Sequence, residues 1–281
     1  MAMGNLAQRA ATALVLVPVL VVALFVDPTS WSILAIATIA GMFAHDELLR
    51  MSLPVSADER FVGLRAAVLL SGAAMVVLSM IFTPQVALPP TLTVAAIALG
   101  VALLARKRTL AKASQHMAAV YASLLYVPLL VSVWSPMKGD FNNGASWLFV
   151  TLAIAFGSDT VAYFFGRFLG KHKLYPAVSP KKTMEGAFGG LVGGVLATAG
   201  FGSLWLIPEL PIGHAMVLGI CGSAVGQFGD LFESMLKRGY GVKDSGNLLP
   251  GHGGMLDRID ALLFVAPVVY YYATLVLGLG R

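Results

Sequence analysis

Between Ser234 and Asp260 the chain reads SMLKRGYGVKDSGNLLPGHGGMLDRID, which sets four cations, three carboxylates, one histidine and six glycines in 27 residues. The surroundings are strongly apolar, and charge beside a bilayer is costly. A basic, glycine-rich stretch that ends in Asp257 and Asp260 at the start of an apolar run suits a phosphate-rich ligand and a divalent metal. The two aspartates are three residues apart, so on a helix they share a face, and negative charge is favoured at a helix N-terminus. Capping accounts for one of them. It accounts less well for a pair preceded by Gly251-His252-Gly253-Gly254, where glycine lets backbone approach a ligand closely. Lys237, Arg238 and Lys243 flank Gly239 and Gly241 and could clamp a triphosphate, with Asp244 holding one of them or a water. His252 could donate to a phosphate oxygen.

Two further acids lie in apolar surroundings. Asp159 sits within AFGSDTVAYFFG and Asp230 within GQFGDLFES. Ionisable side chains inside membrane segments usually face the bundle interior and serve a function. Oxygen donors without cysteine suit Mg²⁺ better than Zn²⁺. The single cysteine, Cys221, lies in an apolar run and excludes both an internal disulfide and a cysteine metal cluster. A second basic stretch, GRFLGKHKLYPAVSPKKTMEG, carries Lys181, Lys182 and Thr183 directly after Ser179-Pro180 and ahead of Gly186. Cations beside the free amides of a helix N-terminus make an anion site. Lys171 and Lys173 read more simply as topogenic charge, and Arg106-Lys107-Arg108, which has no glycine or carboxylate beside it, as topogenic or lipid-contacting charge.

The elements that must position these residues are transmembrane helices. Of 281 residues 58% are hydrophobic and only 12% charged, which describes a polytopic membrane protein rather than a soluble globule. Nine spans are predicted, at roughly 10–26, 30–44, 64–82, 91–105, 117–134, 145–166, 186–207, 213–234 and 259–279, the second extending as far as Leu49 as an amphipathic end. The first is read as a retained span rather than a cleaved signal. The fold class is therefore all-α, with an N-terminal transmembrane region at 1–116 and a C-terminal catalytic region at 117–281 that carries polar loops at 167–185 and 235–258. With the N-terminus in the cytoplasm, 17 of the 19 Lys and Arg residues fall on the cytoplasmic side and only Lys138 and Arg281 outside, as the positive-inside rule requires. Trp31, Trp134, Trp147 and Trp205 fall near outer span ends, where indole rings favour the interface. Glycines four apart in the seventh and eighth spans predict close helix contact, which would bring the loops after the sixth and eighth spans together.

The combination Ser234-x-x-Lys237-Arg238, Lys243-Asp244 and Pro250-Gly251-His252-Gly253-Gly254-x-x-Asp257-Arg258-x-Asp260 closely resembles the signature of the phosphatidate cytidylyltransferases, also called CDP-diacylglycerol synthases. Ser179 to Gly186 resembles a second motif of that family, with Met184 where Trp is common. The resemblance is specific over 157–260 and rests on hydrophobicity alone over the first 140 residues. It implies that CTP and phosphatidic acid give CDP-diacylglycerol and pyrophosphate at a Mg²⁺-dependent site with a paired K⁺, in a homodimer of the inner membrane with its site facing the cytoplasm and no nucleic-acid partner. It also implies Asp230 and Asp257, with Asp260 beside them, as metal ligands. Lys237, Arg238, Lys243, Asp244, His252 and Arg258 are the expected catalytic set, and Ser179, Lys181, Lys182, Thr183 and Asp159 the expected substrate-binding set. Two other readings fit parts of the pattern. One is a CTP-dependent polyprenol or phytol kinase, which would need a base for a hydroxyl acceptor. The other is an ion-coupled transporter, which would more often show repeated halves.

Overall fold

A computed structural model describes residues 14–53, 60–105, 110–248 and 253–280. Helices dominate: α1 (Leu14–Val26), α2 (Trp31–Ser52), α3 (Arg60–Phe82), α4 (Pro84–Leu104), α5 (Leu110–Tyr126), α6 (Pro128–Val131), α7 (Trp134–Asp140), α8 (Gly144–Phe168), α9 (Met184–Leu206), α10 (Ile212–Gly239) and α11 (Leu256–Leu275). Among the described residues eight helical runs are long and apolar enough to cross a membrane, with α1 as a shorter ninth. In hydrocarbon every backbone amide needs an internal partner, and a helix provides one. An all-α polytopic membrane fold follows. One small exception stands in the 167–185 stretch, where β1 (Lys173–Tyr175) and β2 (Ser179–Thr183) form an antiparallel hairpin that pairs Lys173 with Thr183 and Tyr175 with Ser179.

Three spans differ from their sequence reading. The second runs on to Ser52. The fourth begins at Pro84 rather than near 91 and carries Pro89 and Pro90 inside it; each lacks the amide that would serve the carbonyl four residues earlier, which an apolar helix tolerates where side chains, neighbouring helices or local adjustment meet the freed groups. The fifth is broken at Pro128 and Trp134 into α5, α6 and α7, which together form one apolar run over 113–140. Thr83, the single residue between α3 and α4, has a φ of 69°, unusual for a branched side chain.

The chain forms two compact units. The first is built on Ser30–Pro136 together with Asp244–Arg258. Its core is aliphatic and joins α2, α3, α4 and α5 through Leu49, Leu64, Val68, Met75, Leu99, Val120 and Leu124. At the ends of α2 and α3, Asp46 accepts from Arg50 at 3.0 Å and pairs with Arg65.

The second unit is built on Val19–Thr29, Met137–Lys243 and Ile259–Arg281. Here α8, α9 and α10 pack through the expected glycines. A Cβ at Gly193 of α9 would stand 2.7 Å from the Gly157 carbonyl of α8, and one at Gly190 would stand 2.6 Å from Gln227 Nε2 of α10. Gly226 and Gly229 do the same against α11, where Cβ atoms would come within 2.8 Å of Val265 and 2.9 Å of the Asp260 carbonyl. Only residues without side chains permit this approach. Ser158 of α8 and Ser223 of α10 bond to each other at 2.7 Å in the middle of the seam, and Ser223 Oγ also lies 2.7 Å from the Gly190 carbonyl of α9.

Candidate active site

The glycine seam brings three acids of the second unit together. Asp159 comes from α8, Asp230 from α10 and Asp260 from α11, and Asp230 acts electrostatically on both of the others. Lys182 of β2 reaches into the group, its Nζ 2.5 Å from Asp230 Oδ2, with both side chains between one-quarter and one-third exposed. Ser234, one turn along α10, lies with Oγ 3.4 Å from Asp230 Oδ1, and Asp260 Oδ1 accepts from the Ala261 amide at 2.7 Å. Beside them is a cavity of about 370 Å³ whose lining includes Asp159, Arg167, Lys181, Lys182, Gln227 and Asp230. Its volume falls in the range of small-molecule sites. Cations and carboxylates on facing walls of one cavity are what a phosphate with its metal counterion would require.

Local chemistry holds the lysines in place. Thr183 is the N-cap of α9, its Oγ1 accepting from Gly186 N at 3.1 Å, an expected capping arrangement. Glu185 in the first turn of α9 accepts from the amides of Lys171 and His172 at 3.1 and 3.2 Å and bonds His172 Nδ1 at 2.7 Å. Lys173 Nζ donates across the hairpin to the Pro180 carbonyl at 2.8 Å. Lys181 and Lys182 are thus carried on a strand anchored at both sides, with Ser179 at its start. Gly186 allows α9 to begin against α8, since a Cβ there would stand 3.0 Å from the Ala162 carbonyl.

Of the remaining expected residues, Lys237 acts electrostatically on Asp260. Lys237 is buried and pairs with Glu233 one turn earlier on α10; the carboxylate side chain is 1% exposed. The structure therefore engages Lys237 within α10 rather than presenting it to solvent. Arg238 is exposed, and its Nη1 donates to the Val242 carbonyl at 2.9 Å, closing the turn after α10. Lys243, Asp244 and Arg258 are exposed. His252 lies outside the described residues.

Asp257 belongs to a second arrangement, in the first unit. Its Oδ2 accepts from the amide and hydroxyl of Ser245, both at 3.0 Å, and from Gly254 N at 2.9 Å. Gly254 lies just before α11, so Asp257 in the first turn reaches back to the backbone that enters its own helix. Glu47 of α2 completes the arrangement. Its Oε1 accepts from Met255 N at 2.9 Å, and its Oε2 from Leu256 N at 2.9 Å and from Ser245 Oγ at 2.8 Å. Glu47 was not among the residues expected from sequence. The one signal for it is the run His45-Asp46-Glu47 at the end of an apolar helix, where a second acid beside Asp46 has no local cation. Glu233 and Gln227 were likewise not singled out; each is a polar residue on the glycine-bearing span.

The donor set around the cavity is oxygen only, which suits a hard ion. Asp230 pairs with Lys182, and Asp159 and Asp260 lie within electrostatic reach of Asp230. Among the described residues no three His, Cys, Asp or Glu side chains converge as a ready-made cage. Mg²⁺ is usually held by one or two carboxylates together with water and substrate phosphate.

The chain is 44% identical over 154 residues to the phosphatidate cytidylyltransferase of Bacillus subtilis, a match covering 54% of this chain and 56% of that protein. It is 40% identical over 168 residues to the phosphatidate cytidylyltransferase of Thermotoga maritima, covering 58% and 62%. It is 44% identical over 128 residues to that of Staphylococcus epidermidis, covering 46% and 49%. The matches thus span about half of the length of these curated relatives. The model of the cytidylyltransferase family matches residues 7–276, nearly the whole chain, and the chain belongs to that family.

Proposed function

We propose that this protein transfers CMP from CTP to phosphatidic acid and releases pyrophosphate, forming CDP-diacylglycerol for phospholipid synthesis. The observation that carries the reading is the cavity in which Lys181, Lys182 and Arg167 meet Asp159 and Asp230. Family membership and the names of the relatives support it.

In this reaction a phosphate oxygen of the lipid attacks the α-phosphorus of CTP. The new P–O bond forms as the bond from the α-phosphorus to the bridging oxygen of the β-phosphate breaks, and pyrophosphate carries away that electron pair. A phosphate monoester has its second pKa near about 6, so the nucleophile is largely dianionic at neutral pH and needs no strong base. What the protein must supply is positioning and charge stabilisation. Lys181, Lys182 and Arg167 would hold phosphate oxygens, and the Asp230 carboxylate aims the Lys182 ammonium. Asp230 and Asp260, and by the family resemblance Asp257, would hold Mg²⁺, which when bound neutralises charge on the reacting phosphates.

The reading includes an N-terminus in the cytoplasm and a site at the cytoplasmic face of the cell's inner membrane, supported by the concentration of Lys and Arg in alternate loops. CTP then arrives from water and the lipid from the inner leaflet. A homodimer belongs to the same reading, and cross-linking in native membranes tests it. Purified protein in detergent, given labelled CTP and phosphatidic acid, is expected to yield a CDP-lipid by mass. A lipid phosphate formed from a polyprenol would favour a kinase instead, and ion-coupled solute flux into proteoliposomes without CTP would favour a transporter.

A further inference from the structure

We propose that Glu47 is a positioning residue for the transfer reaction: its buried carboxylate ties Ser245 to the first amides of α11 and so fixes Asp257 and the entry of the helix that carries Asp260. This rests on the cytidylyl-transfer reading given above.

Glu47 is 7% exposed and lies on an apolar helix, where an ionised acid needs strong partners. It has three, all from the stretch 245–256: the Ser245 hydroxyl and the amides of Met255 and Leu256. In sequence these donors lie 198 to 209 residues away. Two glycines make room for it. A Cβ at Gly246 would stand 2.6 Å from Glu47 Oε1, and one at Gly254 would stand 2.7 Å from Gly246 N, so backbone closes around the carboxylate where no side chain fits.

Ser245 links the two acids. Its single hydroxyl hydrogen can serve one acceptor at a time, and the shorter contact is to Glu47, at 2.8 Å against 3.0 Å to Asp257. Asp257 keeps the backbone donors Ser245 N and Gly254 N. Glu47 therefore holds the residue that in turn holds Asp257, and also holds the helix end on which Asp257 stands. With its oxygens engaged by three donors and little solvent access, Glu47 is not a proton acceptor for the chemistry. Its effect passes through geometry.

The test compares wild type, Glu47→Gln, Ser245→Ala and the double variant in detergent, measuring CDP-lipid formation and hydrogen exchange together. Gln keeps the shape but turns an NH₂ group toward at least one donor. Expected for Glu47→Gln is faster exchange confined to peptides containing Met255 and Leu256, with a fall in kcat on the order of a hundredfold, as for a reacting group displaced by about an ångström, and KM for CTP within about twofold of wild type. Ser245→Ala is expected to lose less, and the double variant no more than Glu47→Gln alone, because both act through one contact chain. Near-normal kcat in Glu47→Gln, exchange raised throughout the protein, or fully additive losses would each overturn the proposal. A wild type that forms no CDP-lipid would overturn the transfer reading itself and Glu47's part in it, while the exchange measurement would still decide whether Glu47 holds the start of α11.

Discussion

Lys182 and Asp230 meet with Nζ 2.5 Å from Oδ2, joining the basic hairpin to the acidic face of α10. The pair lines a cavity, so its charges are available to a third party as well as to each other. Replacing Lys182 by Gln removes the ammonium and leaves Asp230 uncompensated beside Asp159 and Asp260. CDP-lipid formation is expected to fall by about a hundredfold or more, the size of effect seen when one donor to a transition-state oxyanion is lost. Steady-state assays with labelled CTP measure it, and activity within about threefold of wild type would take Lys182 out of the reaction.

Asp257→Asn is expected to abolish CDP-diacylglycerol formation while the protein still inserts and purifies. Asn can set its one acceptor oxygen where Oδ2 serves three donors, so the hydrogen bonds persist while the negative charge is lost. Product analysis beside gel filtration separates lost chemistry from lost folding. Near-normal turnover would release Asp257 from any part in the site.

Metal removal gives a third expectation. In excess EDTA turnover is expected to stop, and added Mg²⁺ to restore it, because carboxylate oxygens suit a hard divalent ion. Persisting turnover in chelator would defeat the assignment of Asp230 and Asp260 as ligands.

The glycine seam predicts a sharp contrast between two positions. Gly193→Val puts a branched side chain where a Cβ already stands 2.7 Å from the Gly157 carbonyl, and overpacking of that kind costs about 1–3 kcal/mol. Gly213, with nothing within 4 Å of its Cβ position, should accept Ala with little change. Thermal unfolding in detergent compares the two, and equal tolerance would mean that α8 and α9 are less closely apposed than described.

Orientation is checked with cysteines placed at either end of α9. In a Cys221→Ser background, Lys171→Cys should react with an impermeant thiol reagent only from the cytoplasmic side and Glu209→Cys only from the other. Both positions are exposed. The reverse pattern would invert the topology.

Much of this was legible in the sequence because hydropathy and glycine spacing report directly on burial in lipid and on close helix contact. The sixth to ninth spans fall where they were expected, and Asp159 and Asp230 stand on the helices assigned to them. The start of α4 was missed because Pro89 and Pro90 read as breakers, although an apolar helix can carry them. Glu47 was missed for a different reason. Its donors lie about two hundred residues away, and no periodicity encodes such a pairing. Lys237 was expected from its motif, whereas its pairing with Glu233 one turn back on α10 was not.

Bare backbone meets bare backbone where Gly157 of α8 faces Gly193 of α9, and surfaces so closely meshed cannot slide or roll without collision. Within the second unit α8 and α9 then form a fixed pair. Adaptation to a ligand at the cavity beside them then falls to long, solvent-reaching arms such as Lys181 and Arg167 rather than to movement of α8 against α9.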